Sequence, residues 1–206
     1  MPHKTNRFRR SSGLRSYRKL IVIATEGAKT EQQYFAMFNN QHSVIQVKCL
    51  RSGHKSSPHQ VLKRMEDYLR EESLRSSDEA WLVVDRDQWT DEQLNELCTW
   101  AERHRNYDIA LSNPSFEYWL LLHFEDGHHI VSSEECCARL RRYLPTYDKG
   151  IEQRIFTEDR VKNAIRRGKM RDNPPCTGWP RDLGTTTVYR LIGRILNLDE
   201  VNQSHF

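Results

Sequence analysis

Short apolar runs alternate with amphipathic stretches along the first two thirds of the chain, and that alternation sets the expected elements. Lys19 to Thr25 (KLIVIAT) is β-branched and continuous, as a strand buried on both faces should be. Glu26-Gly27-Ala28-Lys29 follows, then a helix with Tyr34, Phe35 and Phe38 on its apolar face. The offset from Thr30 to Gln33 fits a capping box for that helix. Val44 to Leu50 predicts a second strand and 52–57 a loop. Pro58 opens a long helix in which Val61, Leu62, Met65 and Leu69 recur at helical spacing. Ala80 to Val84 (AWLVV) predicts a third buried strand, running into Asp85-Arg86-Asp87. Thr90 and Gln93 form another box-like helix start, continued by Leu94, Leu97 and Ala101. Tyr107 to Leu111 predicts a fourth strand, then Ser112-Asn113-Pro114 and an apolar helix from Ser115 to Phe124, with Asn113 as its cap.

Strands alternating with helices imply parallel pairing and a layered α/β sheet over 19–125. The remainder, 126–206, reads as a helical appendage packed on that core. Its helices are Ser132 to Leu144, Thr157 to Lys169 and Thr185 to Leu196, with a breaker at Asn173-Pro174-Pro175.

Charge changes the picture at the start of the chain. Residues 1–20 carry seven cations and no acid, so a chain of net charge +4 leaves −3 on the rest. Residues 1–18 therefore read as a basic, flexible arm, either for a polyanion or for solubility. Arg7, Arg9 and Arg10 are its nucleic-acid candidates. A second basic run, Arg160 to Arg171, contains Arg166, Arg167 and Lys169 and no acid, and reads as a phosphate-tracking face or a solvated one. The apolar runs are too short to span a bilayer and no secretory signal is evident. Five cysteines without C-x-x-C spacing point to a cytoplasmic chain rather than a disulfide scaffold. His128-His129 and Cys136-Cys137 are poor zinc candidates, because sequence neighbours diverge on a helix.

The chemistry-bearing residues sit at strand ends, where ligand sites of parallel α/β sheets form. Glu26 follows the first strand, and Asp85 and Asp87 end the third. Alternate residues of an extended segment point the same way, so Asp85 and Asp87 can share a site. Crowded carboxylates repel unless a cation is present, and an all-oxygen set selects a hard one such as Mg²⁺, with Mn²⁺ a substitute. That is the apparatus of metal-assisted phosphodiester chemistry. Lys29 stands at a strand-to-helix turn as a phosphate or transition-state contact, or as an ion-pair partner of Glu31. Glu31 reads as base, ligand or first-turn acid. Glu117 is a charge inside an apolar helix and needs a partner. His123 reads as a satisfied core histidine or a general acid-base, and Trp89 as a base-stacking or packing residue.

The stretches IVIATEGAKTEQQYF (21–35), WLVVDRDQW (81–89) and IALSNPSFEYWLLLHF (109–124) together resemble the RloB-like proteins, and the likeness extends into Tyr147-Asp148-Lys149-Gly150. The resemblance implies a Toprim-like, Rossmannoid parallel sheet. It also implies a metal-dependent nuclease acting on RNA such as tRNA, or on DNA, as a toxic effector of abortive infection beside an ABC- or AAA-type ATPase. Metal binding carries over to Glu26, Asp85 and Asp87, and catalytic placement to Glu31, Lys29 and Glu117. The chain has no G-x-x-x-x-G-K-[ST] loop, so nucleotide hydrolysis falls to the partner. The other reading is a non-catalytic Toprim-fold adaptor that binds nucleic acid for the ATPase. Tyr143, Leu144, Tyr147 and Trp179, in broken segments of the appendage, are the expected partner surface.

Overall fold

The computed structural model describes residues 18–39, 43–51, 57–86, 89–148 and 150–198. Arg7, Arg9, Arg10, Asp87, Lys149 and the expected loop at 52–56 lie outside them. Strands β1 (Lys19–Thr25), β2 (Ile45–Leu50), β3 (Glu79–Asp85) and β4 (Tyr107–Asn113) pair in parallel in the order β2-β1-β3-β4. A two-residue strand, β5 (Thr185–Thr186), adds antiparallel to the end of β4, with Ser112 opposite Thr186. The fold is α/β with a Rossmannoid core.

Helices cover both faces. On one, α2 (Pro58–Glu71) and α3 (Asp91–Ala101) bury Val61, Leu62, Met65, Leu94, Leu97 and Trp100 against Val22, Ala24, Leu82 and Val84. Both start in complete capping boxes, Ser57 with Gln60 and Thr90 with Gln93, which satisfy backbone N–H groups that a helix start leaves unpaired. Ser57 and Pro58 thus start α2 where the sequence places it.

The other face carries α1 (Thr30–Ala36), α4 (Phe116–Leu121), α5 (Ser133–Tyr143), α6 (Glu158–Arg171) and α7 (Val188–Ile195). Their apolar residues fuse into one cluster with the sheet, in which Ile23, Tyr34 and Phe116 meet Leu140, Ile165 and Ile192. The core therefore runs across position 126.

Four local expectations change. The N-cap of α1 is Lys29, without a side-chain cap bond. Gln33, expected to close a box with Thr30, instead accepts the Ile151 N–H at 2.9 Å. Ser115 rather than Asn113 is the N-cap of α4, and the Asn113 amide donates to the Arg181 carbonyl at 2.9 Å. The final helix begins at Val188, because Thr185 and Thr186 are drawn into the sheet. Leu144, Tyr147 and Trp179 are buried at 5%, 4% and 2% exposure, and of the four expected partner residues only Tyr143 is exposed, so burial removes the surface that argument needed.

Candidate functional site

The carboxyl ends of β1, β3 and β4 converge on a cleft of about 350 Å³. Five side chains singled out in the sequence line it together: Glu26, Lys29, Glu31, Asp85 and Glu117. They come from three separate junctions of the chain, which only parallel pairing brings level: Thr25 pairs with Val83, and Asp85 with Ser112.

At the first junction, the Thr25 hydroxyl donates to the Gly27 carbonyl at 2.8 Å and turns the chain out of β1. The Glu26 N–H still donates to Val83 at 3.0 Å, so Glu26 leaves the sheet directly beside the end of β3. Its carboxylate accepts the Asp85 N–H at 3.2 Å and the Trp89 indole N–H at 3.1 to 3.2 Å. Trp89 thus spends its polar edge on an acid of the cleft. Glu31 folds back from the first turn of α1 and accepts the Gly27 N–H at 2.9 Å. A Cβ on Gly27 would occupy the space of that carboxylate, so a larger residue there would push Glu31 out of this position. Arg64, from α2, donates to the Thr25 carbonyl at 2.5 Å, and burial lowers its pKa while Glu26 works the other way.

Glu117 and Glu31 are each only 5% exposed. Glu117 accepts from the Ser115 hydroxyl and from the Tyr147 hydroxyl, both at 2.8 Å, so its partner comes from a segment 30 residues on. The Tyr147 hydroxyl also lies 3.4 Å from Thr30 Oγ1. Burial first, and the nearby Glu117 charge second, push the Tyr147 phenol far above its ordinary range, so it stays a donor. Lys29 Nζ reaches the Asp148 carbonyl at 3.4 Å. Tyr147 and its neighbours therefore close the α1 side of the cleft, a role that sequence reasoning missed. The only signal was the Tyr147-Asp148 stretch within the family likeness, because a contact over this separation has no local pattern.

The cleft holds four carboxylates and one lysine, and Glu26, Glu31 and Glu117 are each held by neutral N–H or O–H donors. Burial raises the Cys49 thiol to about 12, and the negative Glu31 adds to it. Carboxylate oxygens alone suit a hard divalent cation with water and phosphate oxygens completing its shell. Among the described residues no three acidic, imidazole or thiol side chains close on a single ion position, and Asp87 lies outside them. Glu26 and Asp85 offer carboxylate oxygens only, the donor type a hard cation takes.

The other sequence candidates lie elsewhere. His123 is buried at 2% exposure, its Nδ1–H directed at the Trp119 and Leu120 carbonyls and its Nε2 accepting from Tyr34 at 3.0 Å. On α6, Arg167 pairs with Asp126 at 2.6 Å and donates to the Leu122 carbonyl, Arg166 meets the Met170 sulfur, and Lys169 is exposed. Cys136 is buried while His128 and His129 are exposed.

Fold and site define an α/β protein with an acid-lined cleft at the carboxyl ends of parallel strands. The chain belongs to the RloB-like family, whose model, described as RloB-like protein, matches residues 21–195. No curated protein and no solved structure matches it. Among the described residues no helix is long and apolar enough to cross a membrane.

Proposed function

We propose that this protein is a metal-dependent nuclease of Toprim type that hydrolyses phosphodiester bonds in RNA or DNA, acting in the cytoplasm as a toxic effector of antiviral defence. The observation that carries this reading is the convergence of Glu26, Glu31, Asp85 and Glu117, with Lys29 at the rim, on one cleft.

Glu26 and Asp85, with Asp87, would hold Mg²⁺ or Mn²⁺. When bound, the cation supplies Lewis-acid stabilisation of the phosphate charge and a more acidic water. Glu26 is oriented for this by the Trp89 indole and the Asp85 N–H. Glu31 and Glu117 are the bases within reach of a nucleophilic water, each already locked in one orientation. Lys29, exposed at the start of α1, places a cation beside a phosphate entering the cleft. A partner ATPase restrains the activity, an inference from the family likeness and from the missing nucleotide loop.

Purified protein should be incubated with duplex DNA, single strands and tRNA in Mg²⁺, Mn²⁺ or EDTA, with and without the neighbouring ATPase. Cleavage in metal alone, lost by roughly a thousandfold in Asp85→Ala at unchanged folding, supports the reading. Binding without cleavage in every combination overturns it in favour of the adaptor. A fully active Asp85→Ala protein removes the metal site.

A further inference from the structure

We infer that Arg86, the middle residue of Asp85-Arg86-Asp87, is a positioning residue of the cleft: it fixes Trp89 and, through Trp89, the carboxylate of Glu26. This deepens the metal reading of the cleft, and its effect on a bound cation rests on that reading. The Arg86 guanidinium donates to the Trp89 carbonyl, and the Trp89 N–H donates back to the Arg86 carbonyl at 3.3 Å. The Trp89 indole N–H lies 3.1 to 3.2 Å from the two Glu26 oxygens. One residue thus presents its carbonyl to Arg86 and its ring to Glu26. On its other side Thr90 begins the capping box of α3, so Trp89 is held from both directions. The Arg86 backbone is fixed as well, its N–H shared between the Ser112 and Pro114 carbonyls at 2.9 and 3.1 Å.

Arg86 is in turn held from the helical half. Its second terminal nitrogen meets one oxygen of Asp91 at 2.8 Å, and Arg181 meets the other at 3.0 Å. Both guanidinium groups lie over the Trp179 ring, Arg86 at 5.0 Å from its centre and Arg181 at 3.5 Å. Trp179 is buried, and its indole donates to Asn95 of α3 at 3.2 Å. The Arg181 carbonyl accepts from the Asn113 amide at 2.9 Å, which pins that segment to the end of β4. Trp179, expected at a partner surface, is therefore a platform for two cations. Ion pairs this exposed add little to stability, so holding the fold does not account for one acid shared by two arginines on an aromatic plane. A planar guanidinium held in this way serves two acceptors in fixed directions, which the single ammonium of a lysine does not. Groups that hydrogen-bond a metal-binding carboxylate set its orientation, and their loss weakens metal binding.

The test combines ¹⁵N spectra and Mn²⁺ titration of the full chain. Five tryptophans give five indole N–H signals, and Trp89→Phe assigns the one it removes. In metal-free protein, Glu26→Gln replaces a charged acceptor by a neutral one and should move the Trp89 signal upfield. Arg86→Lys and Arg86→Ala should move it the same way. Arg103→Ala, which breaks an exposed pair with Glu66, should leave it in place. Mn²⁺ affinity should fall about 10- to 100-fold in Arg86→Ala. Arg86→Ala combined with Trp89→Phe should bind Mn²⁺ within about twofold of Trp89→Phe alone, because both act through one bond. A Trp89 signal unmoved in the Arg86 variants, or Mn²⁺ losses that multiply in the double variant, would overturn the positioning role. A Trp89 signal that follows Arg86 in a protein that binds no Mn²⁺ would overturn the metal site and leave the positioning role standing.

Discussion

The two faces of the sheet are built from different materials. The face under α2 and α3 is mostly aliphatic, with Trp100 and Trp179 inside it and Tyr68, Trp89 and Tyr107 at its margin, and its helices start in self-contained capping boxes. The opposite face is aromatic, with Tyr34, Phe35, Trp81, Phe116, Tyr118 and Trp119 in one cluster, and it buries Glu31, Glu117 and His123 among them. Glu31, Glu117 and His123 are each tied by a hydrogen bond, two of them across 30 residues or more, as Tyr34 is to His123 and Tyr147 to Glu117. The first face holds the sheet together. The second holds charges in fixed positions, which is what a catalytic cleft requires and what makes its partners interdependent.

If this division is right, function should break on the second face without loss of fold. Glu117→Gln removes the charge, keeps an acceptor oxygen for one of the Ser115 and Tyr147 hydroxyls and turns an NH2 to the other, which can accept it. Cleavage, measured at saturating metal, should fall by about a hundredfold or more while the urea midpoint stays near wild type. A variant as active as wild type would make Glu117 a packing residue.

The reverse should hold on the first face. Met65 is fully buried between α2 and the sheet. Met65→Ala removes that volume and should cost about 2 to 5 kcal/mol by urea denaturation. Cleavage per folded molecule should be unchanged. A loss of activity at temperatures where the variant is fully folded would show that the two faces are coupled.

Tyr147→Phe isolates one bond that joins the helical half to the cleft. Glu117 keeps Ser115 but loses a buried donor, so stability should drop by about 1 to 3 kcal/mol. Restoring it with a hydrophobic residue at 117 in the same background would confirm that the unmet carboxylate, rather than lost packing, is the cause. No recovery would point to packing.

What the sequence made legible follows the same division. β1 and the start of α2 were readable to the residue, because continuous β-branched runs and capping boxes are local signals. The strand-end acids were readable for a related reason: a parallel sheet sends the ends of its strands to one edge, so Glu26 and Asp85 had to meet. What failed depends on distant chain. Gln33 was expected to serve its own helix, yet Ile151 takes its side chain. Thr185 and Thr186 looked helical because a two-residue strand exists only through its pairing with Ser112 and Asn113. Tyr147 was read as an exposed apolar residue, and only the fold shows its hydroxyl spent on Glu117.

The smallest expected effect concerns acid sensitivity, and His123 localises it to the aromatic face. Burial lowers its folded pKa to about 3, against the hydrogen bonds to Trp119 and Leu120 that favour the charged ring. In the unfolded chain it titrates near ~6.5. The folded value is the lower one, so the neutral ring's contribution is complete above the unfolded pKa and is lost as pH falls from there towards 3. Between pH 7 and 6 the loss should be under about 1 kcal/mol, steepening at lower pH to about 1.4 kcal/mol per unit. His123→Gln leaves an acceptor for Tyr34 and removes the titration, so its urea midpoint should be flatter over the same range. Parallel pH profiles for the two proteins would move the acid sensitivity away from this face.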